Sequence, residues 1–195
     1  MKRISLFSVA LLMALATQVF ISCGDDDEPQ PTAPTLDVYE EKIEIDGLYY
    51  NFHGKEAGMS YAGRTGNNKY TYKGDVIIPP FVKYYGQSYP VTSIDDLAFA
   101  DSKDMTSITI PSSVTKFNGS SNFWNCYALR SIYCYGANAP KCTYTDTFGC
   151  YSGGGLADTP DDIYNYCVLH VPNGRKEEYA SATVWRKFKN IKDDL

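Results

Sequence analysis

Apolar and polar residues alternate along most of the chain from residue 38 onward, with a period of two. Lys42–Phe52 reads KIEIDGLYYNF, two alternating runs around Asp46-Gly47. Asp-Gly between β-rich runs predicts a tight hairpin, because glycine takes the positive φ of a primed turn. GMSYAGR (58–64), NNKYTYKG (67–74), DVIIPP (75–80) and KYYGQSYPV (83–91) continue as short strands bounded by Gly, Asn and Pro. The chain holds 17 tyrosines, a residue type that suits half-buried pleated surfaces.

A longer pattern lies over the alternation. Residues 91–114 read VTSIDDLAFADSKDMTSITIPSSV, and residues 114–136 read VTKFNGSSNFWNCYALRSIYCYG. With Val91 set on Val114, Ile94 meets Phe117. One inserted residue then brings Phe99 onto Phe123, Met105 onto Leu129, Ile108 onto Ile132 and Ile110 onto Cys134. A repeat of this length marks stacked supersecondary units, none of which buries its apolar side alone. Partial copies flank the pair: DVIIP (75–79) and VLHVP (168–172) both match SITIP (107–111). In SITIP, period two sends Ile108 and Ile110 inward and Ser107 and Thr109 outward. The proline ends the strand, since it has no N–H for the ladder. Phe148 falls 25 residues after Phe123, where a third aromatic is due, but the segment up to 167 is irregular and Gly-rich. Tyr179, Trp185, Phe188 and Ile191 are nearly helix-spaced, which predicts a helix or two helical turns covering the open apolar end of the last repeat.

The first 22 residues stand apart. Lys2 and Arg3 precede an apolar run from Ile4 to Ile21, followed by Ser22, Cys23 and the acidic run Asp25–Glu28. This is the pattern of a secretory signal. The acidic far flank disfavours a spanning helix. FISC (Phe20–Cys23) resembles the lipobox of bacterial lipoproteins, although such boxes usually carry Leu where Phe20 stands. The acidic run resembles the surface-export signal of Bacteroidetes-type lipoproteins. The resemblance implies that Cys23 is lipidated and becomes the new N-terminus. Residues 23–37, acidic and then Pro-rich, read as an extended spacer.

The repeats resemble a known family. VTSIDDLAF, SITIPSSV and LRSIYCYG look like the BspA-type leucine-rich repeat of bacterial surface proteins. IDGLYYNF, YKGDVIIPP and YPVTSI resemble its common opening, and VPNGRKEEYASATVWRKFKNI resembles its close. The likeness covers roughly residues 43–191. The loop 138–166 departs from it, being longer and richer in Cys and Gly. The resemblance implies a mainly β, small right-handed leucine-rich-repeat solenoid, with an N-terminal β-hairpin cap and a short C-terminal helical cap. The expected organisation is a lipoprotein signal peptide (1–22), a linker (23–37), a β-rich cap with the first strand (38–90), and repeats with the closing helical cap (91–195).

Charge and candidate chemistry narrow the function. The 18 basic residues fall to 16 once Lys2 and Arg3 leave with the leader, against 23 acidic ones, a net of −7. That disfavours nucleic acid, which needs a basic patch, and charge-driven adhesion to anionic lipid. If the four matched strands stack, Ile77, Thr109, Tyr133 and His170 form one outward row, with Asp75, Ser107, Ser131 and Val168 behind it. The row is a binding face, a sheet face covered by a neighbouring loop, or a face with no role. Besides Cys23 there are five cysteines, and four of them stand eight apart, which is not the paired spacing of zinc sites. Cys126 and Cys134 read as small buried residues. Outside the cytoplasm a disulfide becomes plausible chemistry, and Cys150 with Cys167 is the pairing that would staple the Gly-rich loop; an odd thiol remains whatever the connectivity. Cys167 and His170, three apart on a strand, point to opposite faces and cannot form a nucleophilic pair directly. The carboxylates fall mostly in runs such as Asp95-Asp96, expected to be solvated.

The sequence therefore predicts a lipid-anchored, non-enzymatic protein of the outer membrane and cell surface. The family likeness implies adhesion or contact with host proteins. Its partner would be a protein or a glycan at the cell surface, with the membrane touched through the lipid anchor only. No nucleic acid, cofactor or metal is expected, and the oligomeric state is open. A carbohydrate-binding accessory lipoprotein is the first rival reading, resting on the tyrosine content. An enzyme using the Cys-rich loop is the second.

Overall fold

The computed structural model describes residues 36–62, 64–65, 68–69, 71–149 and 163–195. The leader, Cys23, most of the acidic spacer and Cys150 lie outside the described residues. Strand β1 (Val38–Ile45) turns through Asp46 and Gly47, at φ 52° and 78°, into β2 (Leu48–Gly54). Both turn residues have the positive φ that the Asp-Gly signal calls for. Strand β3 (Glu56–Met59) runs back along β2. A two-stranded ribbon, β4 (Arg64–Thr65) and β5 (Asn68–Lys69), precedes β6 (Lys73–Ile77). A second tight hairpin follows. Strands β7 (Phe81–Tyr84) and β8 (Gln87–Ile94) meet through Tyr85 and Gly86, both at positive φ. The remaining strands are β9 (Asp104–Ile110), β10 (Lys116–Phe117), β11 (Ser131–Cys134), β12 (Lys141–Cys142), β13 (Val168–Val171) and β14 (Asn190–Asp193). Three short helical pieces complete the elements: α1 (Ile163–Tyr166), α2 (Lys176–Ser181) and a 3-10 turn at Trp185–Lys187.

The strands sort into two main sheets. One runs β1-β2-β3-β8-β10-β12, with β7 also on β8; it is antiparallel through the hairpins and parallel from β3 to β12. The other runs β6-β9-β11-β13-β14 and is parallel throughout. The chain alternates between them, so that β3 leads to β6, β8 to β9, β10 to β11 and β12 to β13. Each circuit adds one strand to each sheet, which is how a period of 23–24 residues becomes a stack. Parallel neighbours need such long crossovers.

The register is the one the repeat alignment implies. Val76, Ile108, Ile132 and Leu169 stand side by side across β6, β9, β11 and β13, and Ile110 faces Cys134. In the other sheet Met59, Ile94, Phe117 and Cys142 are neighbours. Ile108, Ile132, Leu169, Met59, Ile94 and Phe117 are fully buried.

An aromatic column runs through the same interior. Phe99 stacks on Phe123 at 5.3 Å and Phe123 on Phe148 at 4.9 Å, with the planes within 17° and 9° of parallel. Tyr72 extends the column below Phe99, and Trp185 and Phe188 meet Phe148 edge-on above it. The third aromatic thus lands at Phe148, although the residues beyond it are irregular.

The corners of the circuits repeat as faithfully as the strands. Leu97 and Ser121, and then Asp101 and Asn125, are pairs 24 residues apart that share left-handed φ. Such values are tolerated best by Asp and Asn, and Asn125 donates its amide to Asp101 at 2.7 Å, joining the two corners. Backbone N–H groups of Leu97, Phe99 and Asp101 donate to the carbonyls of Ser120, Asn122 and Trp124 in the next circuit.

Two sequence expectations need correction. Asp95 is not part of a solvated run. It is 8% exposed, and its carboxylate accepts from Asn51, His53, Ser93 and Asn118 while its carbonyl accepts from Asn122. Burial of a carboxylate is costly unless donors surround it, and four side chains supply them here. Gly58 makes room for this knot, since a Cβ there would lie 2.6 Å from Asp95 Oδ2 and 2.4 Å from Ser93 Oγ. The second correction concerns Ile191, which belongs to β14 opposite Leu169 rather than to a closing helix. Helical structure ends before it, at the 3-10 turn. Tyr179, Trp185 and Phe188 do pack over the end of the aromatic column. Trp185 donates its indole N–H to Pro140 O at 2.8 Å, and Tyr179 donates its hydroxyl to Gly136 O at 2.8 Å.

Truncating the middle of the column is expected to cost most. Phe123→Ala should lower unfolding free energy by about 3–5 kcal/mol in urea titrations, whereas Tyr144→Ala, on the surface, should stay within about 0.5 kcal/mol.

Candidate functional site

The outer face of the all-parallel sheet carries the residues singled out by the repeat. Asp75, Ser107, Ser131 and Val168 are register partners, and so are Ile77, Thr109, Tyr133 and His170. One side chain per strand therefore stands in a straight row. Ile77, on the outer strand of the sheet, is 67% exposed. Tyr133 and His170 stack ring on ring at 4.5 Å with an interplanar angle of 18°. Their faces are turned toward each other, so the row offers solvent the edges of the rings.

The structure lengthens this row by one strand. Because β14 pairs with β13, Lys192 falls beside His170, and Asp194 binds His170 Nδ1 at 2.8 Å. Reading residues 185–191 as helix hid these two side chains, and a weak alternation in NIKD was the signal available. At the opposite end, Asp75 Oδ1 accepts from Thr106 and Ser107 at 2.8 and 2.7 Å, and these hydroxyls hold its pKa below the usual carboxylate value. Thr106 reaches it because a register shift after Gly74 places both Thr106 and Ser107 near Asp75. An open groove of about 380 Å³ lies beside Asp75 and Ile77, walled by the β1–β2 turn, Tyr72 and Lys73.

The cysteines are placed differently from the row. Cys126, Cys134 and Cys167 are buried free thiols, and Cys142 is partly buried and free. The disulfide expected between Cys150 and Cys167 has one partner outside the described residues; Cys167 itself is wholly buried. Cys134 takes the inward strand position expected of it, with its Sγ 3.3 Å from the Tyr179 hydroxyl oxygen. Burial pushes every one of these thiols up, Cys134 and Cys142 to about 11 and Cys126 and Cys167 to about 12. They remain protonated at neutral pH, and a thiolate is the nucleophilic form. Cys167 faces the interior while His170 stands on the outer face. His53 binds the buried Asp95 at 3.3 Å and lies away from the row, on β2. Among the described residues no helix is long and apolar enough to cross a membrane.

No family model matches the chain, and no curated protein matches it. Solved structures do. A leucine-rich repeat protein from Bacteroides capillosus is 18% identical with a TM-score of 0.51, covering 78% of this chain and 97% of that one. A leucine-rich repeat protein from Bacteroides ovatus is 30% identical with a TM-score of 0.41, and covers 56% of this chain. A leucine rich cell surface protein from Faecalibacterium prausnitzii is 25% identical with a TM-score of 0.38, and covers 54%. The chain spans only 28% and 24% of the last two. The first of the three shares its fold over most of its length, and the chain has the fold of a leucine-rich repeat protein.

The thiols make a pH-dependent contribution of defined sign. Their folded pKa values lie above the unfolded value of 9.0. The stabilisation is therefore whole below about pH 9 and is lost as pH rises through about 11 to 12. Melting temperature should be flat from pH 6 to 8 and fall above pH 9. A thiol-specific disulfide reagent at pH 8 should label Cys126, Cys134, Cys142 and Cys167 slowly in the native chain and at once in the denatured chain.

Proposed function

We propose that the protein is a lipid-anchored, non-enzymatic cell-surface protein that binds a host or other extracellular macromolecule through the outer face of its parallel sheet. The reading takes the two-sheet stack as a right-handed solenoid, capped by the β1–β2 hairpin and by the segment from α2 to the 3-10 turn. One observation carries it: Ile77, Thr109, Tyr133 and His170 fall in one register row, with Ile77 open to solvent at one end. Repeat proteins bind through such surfaces, and a row that mixes an aliphatic, an aromatic and an imidazole suits a protein partner. The anchor rests on FISC and Cys23, and the acidic spacer would hold the domain off the membrane.

The stacked rings weigh between protein and glycan. A sugar packs on an open aromatic face, and Tyr133 and His170 turn their faces toward each other. That favours a protein partner over the carbohydrate-binding reading.

Ile77→Ser and Tyr133→Ala, tested against immobilised extracellular-matrix proteins, should each weaken binding about tenfold, a loss of about 1.4 kcal/mol. Their melting temperatures should stay close to the parent's. Retained affinity in both variants, or binding confined to a glycan array, would end this reading. Metabolic labelling with radioactive palmitate should mark the parent chain and leave Cys23→Ser unlabelled.

A further inference from the structure

Strand β14 brings to the face two charged groups that lie outside the repeat pattern. Lys192 is the register partner of His170, and Asp194 lies two residues further on. The Asp194 carboxylate sits 2.8 Å from His170 Nδ1. An ionised carboxylate only accepts hydrogen bonds, and a neutral imidazole carries a single N–H. The proton therefore sits on Nδ1, and Nε2 is left with a bare lone pair. That lone pair has no protein partner among the described residues, and the side chain is 14% exposed. Two contacts fix the ring: Tyr133 from β11 lies flat against it, and Asp194 holds its far nitrogen. The charged and titratable groups around it are Tyr133 on one side and Lys192 and Asp194 on the other.

We propose that His170 Nε2 is a preset hydrogen-bond acceptor, which takes a neutral donor, a Ser or Thr hydroxyl or an amide N–H, from a protein partner docked on this face. The proposal rests on the protein-binding reading of the row. Asp194 is a positioning residue, acting through the tautomer it imposes.

Two measurements decide it. In long-range proton–nitrogen spectra of the full chain carrying His53→Gln, labelled at histidine nitrogen, His170 should show a protonated Nδ1 and a bare Nε2 at pH 7.5. Asp194→Ala should abolish that preference, which a merely structural role would not do. The opposite tautomer in the parent overturns the proposal without reference to any partner.

The second arm uses immobilised collagen, laminin and fibronectin as probes. His170→Phe keeps a flat ring beside Tyr133 and removes the nitrogen. It should bind about tenfold more weakly at pH 7.5. Equal affinity of parent and variant, binding to glycans alone, or no binding to any of the three proteins each overturns the assignment. Should Tyr133→Ala and Ile77→Ser also bind normally, the face itself is wrong, a separate failure that leaves the tautomer result standing.

Discussion

The fold depends on one constraint, the matching of circuit length to parallel register. When each circuit returns to the same sheet after 23–24 residues, equivalent residues become lateral neighbours. Apolar positions then dry one another: Ile108 between Val76 and Ile132, Phe123 between Phe99 and Phe148. No single circuit has this protection, because each buried side chain packs against its counterpart in the next one. The two ends of the stack are therefore the exposed points. At one end Trp185, Tyr179 and Phe188 cover the last ring, and Trp185 and Tyr179 donate to the Pro140 and Gly136 carbonyls.

The outer face follows from the same constraint. Register that stacks isoleucines inside also stacks Ile77, Thr109, Tyr133 and His170 outside, one position along each strand. Interior positions are bound by packing, while the outer positions are free to vary in chemistry. That freedom explains a row that runs from an open aliphatic to an imidazole fixed by a carboxylate. It also explains why aromatic rings in successive strands meet face to face and show their edges outward.

One buried charge inside the stack is surrounded by donors. The Asp95 carboxylate gathers four side-chain donors from the β1–β2 hairpin and two circuits, and the absence of a side chain at Gly58 is what lets it sit there. Gly119, at φ +79°, does the same beside Asp96, where a Cβ would come within 2.4 Å of the Asp96 side chain. The thiols at Cys126, Cys134 and Cys167 belong to the apolar interior, and their raised pKa values express the same exclusion of water.

Most of the architecture was legible in the chain itself, because it is written in local signals. Alternation of period two, a repeat of about 24 residues and the Asp46-Gly47 turn act within or between adjacent segments. They determined the strands, the partners of Ile108, the aromatic column through Phe148 and the membership of the outward row. What the tertiary structure alone decided comes from contacts between distant parts of the chain. Burial of Asp95 needs donors from residues 51, 53, 93 and 118 at once, and no short window contains them. Strand β14 forms because β13 offers a free edge; the aromatic spacing of its own segment favours a helix, and only the edge overrules that. The placement of Lys192 and Asp194 against His170 depends on that pairing, as does the ring-on-ring contact of Tyr133 with His170 on the parallel register. Sequence spacing sets which face a side chain occupies, and only assembled strands set what it meets there.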